Sequence, residues 1–346
     1  MTPRSAFPEL GFYTLAGAPQ SPRDMLAELA HAEQLGLGSA FISERFNIKE
    51  AGALTGAAVA ATQSLNIITA ATNHTTRHPL VTASWASTLH LLSEGRFSLG
   101  LGRGIEAMFK AYGMPMATTA SLEEFALLMR RLWQGETVMN WSDITGTYPV
   151  LRLDPAFDLH IPLSITVFGN NTLEMAGRAY DNVILHTFFT DETTERAVRV
   201  VKQSAERAGR NPDDVKVWSC FATIGDHIAP ELRLKKTVGR LATYLQAYGD
   251  LMVKTNNWDP SVLKRFREDE FVRTFPGALD AKGTTQDLER VAPLIPDEWL
   301  APSAQGSPEQ CVAAIKNQFA LGCDGVIMHG ATPAELAPIV RSYSAS

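Results

Sequence analysis

The chain has 346 residues, 45% hydrophobic and 20% charged, which is the composition of a globular protein able to bury a large core. A net charge of -6 and the lack of a basic stripe argue against nucleic-acid binding. No apolar run reaches the roughly eighteen residues of a membrane span, and Met1 to Leu10 carries no apolar signal-like stretch. A cytoplasmic protein is therefore expected.

In chain order, strand-like and helix-like segments alternate. Leu10 to Leu15 reads as a first strand, and Ser21-Pro22-Arg23-Asp24 has the form of a capping box with proline at the first helical position. Met25, Leu29, Ala32 and Leu35 follow at helical spacing up to Gly36, and Ser39 to Ser43 is the second strand. This is a βαβ crossover. The third strand is Asn66 to Thr72, with a helix over Pro79 to Glu94, and the fourth is Phe97 to Leu101. A helix over Ser121 to Gln134 and a loop at Gly146 to Pro149 precede the fifth strand, Pro162 to Phe168. The sixth is Asn182 to His186, the seventh Lys216 to Ile224 and the eighth Gly325 to His329, with helices from Thr172, Glu192, Ser307 and Thr332 around them.

Eight strands with intervening helices predict an α/β fold, a single-domain (β/α)8 TIM barrel over residues 1–346. Residues 226–302 are too many for one crossover. They predict a helical insertion between strands seven and eight, including Pro260 to Thr274, that roofs the site. Cys220, Cys311 and Cys323 form an odd set without CxxC spacing, expected as buried reduced thiols, and no cluster predicts a metal.

Catalytic groups of such barrels lie at the C-terminal ends of strands. That rule selects Glu44 and Arg45, Ala70 to His78, Gly102 to Glu106, Gly169 to Asn171, His186 and His329. Gly102-Arg103-Gly104 lets backbone N–H groups approach an anion and adds a charge, and Phe168-Gly169-Asn170-Asn171 is a second such turn before a helix. Together they predict an anion clamp. The strand-three loop is unusually polar, which points to ligand contacts for Asn73 and His74.

At this point the chain resembles the luciferase-like monooxygenase superfamily, and within it the branch that uses coenzyme F-420. The resemblance is carried by Ala32 to Glu44, by Thr76-Arg77-His78-Pro79, by Leu92 to Gly104, by Ala176 to Val183 and by Gly306 to Val326. It implies a cofactor ring across the barrel mouth, with its phosphate at Gly102, Arg103, Gly104 and Ile105 and at Gly169, Asn170 and Asn171. Phe168, Asn73 and Glu44 belong to the same cofactor set. It also implies a bulged strand three with a cis peptide at Ala70-Ala71. Some alcohol-oxidising relatives carry a carboxylate and then a histidine after strand two, where this chain has Glu44-Arg45. Arginine stays protonated and cannot serve as that base, so Arg45 is suited to holding an anion or oxyanion. Glu44, Arg45 and His74 are the expected catalytic residues. Lys254, Lys264 and Arg265 could meet the anionic tail of F-420.

The resemblance thus implies an F-420-dependent oxidoreductase acting on a small organic substrate, as a homodimer without nucleic-acid or membrane partners. The alternatives on the same fold are an FMN-dependent monooxygenase and a non-catalytic cofactor-binding barrel.

Overall fold

The computed structural model describes residues 5–17, 19–46, 48–154 and 158–346. Eight parallel strands close into a barrel: β1 (Phe7–Tyr13), β2 (Leu37–Ile42), β3 (Asn66–Thr69), β4 (Phe97–Leu101), β5 (Leu163–Thr166), β6 (Asn182–Ile184), β7 (Lys216–Gly225) and β8 (Gly325–His329). Closure is made by β8 on β1, with Leu10 opposite Val326. Strands covered on both faces need no polar alternation. Accordingly, β2 and β4 are buried along their whole length. Phe41, Ile68, Ile184, Trp218 and Ile327 fill the barrel interior, while a larger apolar layer joins strands to the surrounding helices.

Helix ends follow the local chemistry. Ser307 and Gln310 form a reciprocal capping box, as do Thr332 and Glu335. The box expected at Ser21 does not form. The helix begins at Asp24, and Ser21 instead accepts from the Arg23 amide at 3.1 Å within a preceding turn. A helix over Ala51–Ala61 had no amphipathic signature to reveal it, because AGALTGAAVAA has no polar face; Glu50 caps it through the Ala53 amide. The segment expected as a loop near Gly146 is a β-hairpin, Val138–Asp143 with Gly146–Leu151, pairing Trp141 with Tyr148.

Between β7 and β8 the chain is helical, as the excess length required. Its expected helix over Pro260 to Thr274 is two, Pro260–Glu268 and Glu270–Thr274, because Asp269 turns extended and caps the second. Leu241, Leu245, Met252, Phe266 and Trp299 give the insertion its own apolar centre, which meets the barrel through Phe188 and Ala222. Trp258 and Trp299 stack there at 4.4 Å.

Candidate active site

The site is built from the C-terminal strand ends. After Thr69 the third strand bulges. The peptide between Ala70 and Ala71 is cis, at the place the resemblance implied. Pairing with β4 resumes where the Thr72 amide donates to the Gly100 carbonyl at 3.0 Å and the Gly102 amide to that of Thr72 at 3.0 Å. A Cβ on Gly100 would sit 1.6 Å from the Thr69 carbonyl oxygen, so this approach of the two strands requires glycine.

The turn at Gly102 to Ile105 leaves β4, and the turn at Phe168 to Asn170 follows β5, its paired neighbour with Gly100 opposite Ser164. Both turns therefore open at the same end of the barrel. Gly104 has φ +80°, and the Asn73 side chain fixes the turn's start by donating to the Gly102 carbonyl at 2.7 Å. Arg103 reaches the Ala117 carbonyl at 3.1 Å. The amides of Arg103, Gly104, Ile105, Gly169 and Asn170 find no protein acceptor among the described residues. Gly169 precedes the helix Asn170–Ala179, which has no side-chain cap. Asn170 and Asn171 are exposed, and Asn170 donates to Glu174 at 2.9 Å. Phe168 faces the His186 ring at 4.4 Å.

A cavity of about 180 Å³ occupies the mouth, lined among others by Tyr13, Arg45, Lys49, Ala70, His186 and His329, with Arg240 and Tyr244 contributed by the insertion. His186 lies between Thr187 and Tyr248. Its Nδ1 faces the Thr187 carbonyl at 2.9 Å, which assigns the proton to Nδ1 and leaves Nε2 to accept from the Tyr248 hydroxyl at 3.0 Å. Burial pushes its pKa down to about 4. Burial, then Arg240 and His186, hold His329 well below the usual range. Both rings are neutral at pH 7. Lys49 is 2% exposed, and burial followed by the charges of Arg45 and Arg240 lowers its pKa to about 7.

The expected catalytic set divides. Arg45 lines the cavity and donates to the Gly17 carbonyl at 3.0 Å. Glu44 does not present a free carboxylate: Arg77 pairs with it, Thr72 donates at 2.6 Å and the Ala51 amide at 3.3 Å. His74 does not line the cavity. It is buried with its ring 4.8 Å from Phe125 and neither nitrogen bonded, and burial lowers its pKa to about 4. Lys264 pairs with Glu268 at 3.8 Å, and with Lys254 it lines a separate groove that shares no residue with the mouth. Arg265 instead donates to Ser261 at 3.1 Å. Lys49, Arg240 and Tyr244 also line the cavity, although the strand-end rule does not select them. Lys49 lay only four residues beyond Arg45, a signal that was available; the other two come from an insertion with no readable pattern.

Cys220, Cys311 and Cys323 are free and buried, with burial raising Cys220 and Cys323 to about 12. Among the described residues no metal-holding group of His, Cys, Asp and Glu occurs, and no helix is long and apolar enough to cross a membrane.

Known proteins resemble the chain along most of its length. It is 27% identical over 317 residues to a 5,10-methylenetetrahydromethanopterin reductase of Methanolobus tindarius, covering 88% of this chain and 91% of that one. It is 30% identical over 336 residues to an F-420-dependent glucose-6-phosphate dehydrogenase of Mycolicibacterium gilvum, covering 92% and 90%. In three dimensions it matches the coenzyme F-420-dependent tetrahydromethanopterin reductase of Methanopyrus kandleri with a TM-score of 0.80, at 18% identity and 99% coverage of both chains, which bears on the fold. The sequence profile described as luciferase-like monooxygenase matches residues 7–325, and the chain belongs to that family.

Proposed function

We propose that the chain is an oxidoreductase moving hydride between coenzyme F-420 and a small organic substrate at the barrel mouth. The observation that carries this reading is the pair of turns after β4 and β5, side by side at one barrel end with bare amides. The F-420-dependent relative supports the choice of cofactor.

The residues present fit such a group. Gly102, Arg103, Gly104 and Ile105 would hold its phosphate from one side, and Gly169, Asn170 and Asn171 at the helix N-terminus from the other. Ala70, Ala71, Asn73 and Phe168 would flank the ring, with small side chains where the bulge approaches it. When bound, a 5-deazaflavin supplies a carbon that gives or takes a hydride, two electrons with one hydrogen nucleus.

The chain's own residues then position and exclude. Arg240 and Tyr244 roof the cavity and limit water. Arg45 would hold a negatively charged oxygen of the substrate. Glu44 serves by fixing Arg77 and Thr72 behind the bulge, a positioning role in place of the proton transfer expected from sequence. A homodimer and a cytoplasmic location belong to the same proposal, the former checked by light scattering on the eluted protein.

Gly169→Val tests the phosphate assignment. A Cβ there meets nothing within 4 Å, so the fold tolerates it, whereas the isopropyl group would enter the cradle. A fluorescence titration with F-420 is expected to show saturable binding that the variant weakens at least tenfold. Equal affinity in both proteins would remove these turns from the site.

A further inference from the structure

Three cations converge on the loop after β1, two from the bridged turn Arg45–Lys49 after β2 and one from the insertion. Arg45 Nη1 donates to the Gly17 carbonyl at 3.0 Å. The Lys49 ammonium donates to the Leu15 carbonyl. From the insertion, Arg240 Nη2 lies 3.5 Å from where a Cβ on Gly17 would stand. All three line the mouth cavity. Two carboxylates lie near. Asp280 is bonded to Arg240 at 2.7 Å, while Glu28 accepts from Thr14 and the Leu15 amide at 2.5 and 2.8 Å and attracts Lys49 from behind the loop. Among the described residues, neither Arg45 nor Lys49 forms an ion pair.

Burying a cation without a paired anion is costly. An ammonium has three donors and a guanidinium five, yet Lys49 and Arg45 each spend one interaction on a backbone carbonyl. The remaining donors of buried Lys49 are left for something that enters the cavity, while those of Arg45, exposed at its rim, meet solvent until it arrives. The cavity is small, about 180 Å³, below the roughly 300–1,000 Å³ of most small-molecule sites.

We propose that Arg45, Lys49 and Arg240 form an oxyanion-binding subsite for the substrate, which is a small carboxylate or phosphate ester with only a few carbons. The assignment rests on the redox reading above, since the subsite then aims the substrate's reacting carbon at the cofactor ring. Charge-assisted hydrogen bonds from a fork and a point charge suit either oxyanion. The volume favours a compact acid over a sugar phosphate.

The experiment is calorimetric titration of the protein, loaded with F-420, with propionate and with inorganic phosphate. Wild type, Arg45→Gln and Lys49→Met are compared, and F-420 affinity is measured in parallel by fluorescence. Saturable binding of at least one probe is expected, weakened at least tenfold by either substitution, with F-420 affinity within twofold of wild type. Arg45 is exposed, so its variant keeps the test open should Lys49→Met fail to fold. Binding of neither probe, or unchanged anion affinity in Arg45→Gln, overturns the proposal. So does an equal loss of F-420 affinity, which would give these cations to the cofactor. Cluster-dependent anion binding in a protein that ignores F-420 supports the subsite and sinks the redox reading instead.

Discussion

Arg77 closes over Glu44, whose side chain is 2% exposed, and reaches outward to Glu50 at 2.5 Å. The two partners are therefore unequal. Arg77→Met strands a buried carboxylate that retains only Thr72 and the Ala51 amide, whereas Glu44→Gln leaves Arg77 with Glu50 and solvent. Breaking a buried pair costs about 3–5 kcal/mol when the survivor is fully enclosed. We expect Arg77→Met to approach that range and Glu44→Gln to cost about 1–2 kcal/mol, because Arg77 remains partly solvated. Denaturant midpoints decide the order; a costlier Glu44→Gln contradicts this reading of the pair.

Gly100→Ala tests the close approach of β3 and β4. With a Cβ 1.6 Å from the Thr69 carbonyl, backbone must shift. A loss of about 3 kcal/mol or more is expected. A variant as stable as wild type would mean the two strands can separate freely.

His74 faces Phe125 with both nitrogens unbonded. His74→Phe removes an unsatisfied buried polar group, a gain of about 1 kcal/mol at pH 7. The pKa of about 4 lies below the unfolded value of about 6.5. The unfolded chain thus binds more protons between those values, and the wild type loses stability as pH falls from about 6.5 to about 4. The variant's advantage should grow over that window. Retained turnover would also separate His74 from catalysis, against the expectation raised by its loop.

Lys49 gives a second pH signature. Its pKa of about 7 is below the ordinary lysine value of 10.5. Its contribution to stability is least favourable below pH 7 and recovers as pH rises towards 10.5. That slope should vanish in Lys49→Met. Arg45 and Arg240 oppose its charge, and Glu28 favours it. Propionate, which stays ionised throughout, should bind wild type more tightly at pH 6 than at pH 8 and show little such dependence in the variant.

The barrel was legible because it is written in repeated local signals. FSLGL and GVIMH stand as β4 and β8 with the bounds the sequence suggested, and Ser307 and Thr332 cap the helices they announced. The strand-end rule likewise located Arg45 and both glycine turns at one rim. Orientation was not legible. Residue type alone does not distinguish Glu44 offered to a ligand from Glu44 bonded to Arg77, a partner 33 positions away. His74 misled for the same reason: a polar loop points to a rim, while its ring turns inward to Phe125. Arg240 and Tyr244 depend on how the insertion folds back, which no local pattern encodes.

The mouth of this barrel should serve F-420 in preference to FMN. Purified protein mixed anaerobically with reduced F-420 or reduced FMN, then exposed to oxygen, tests it directly by absorbance and oxygen uptake. Tight binding of F-420, with negligible protein-dependent oxygen consumption in either mixture, is the predicted result. Rapid protein-dependent oxygen uptake with reduced FMN, above that of free reduced FMN, and no measurable F-420 binding would contradict it.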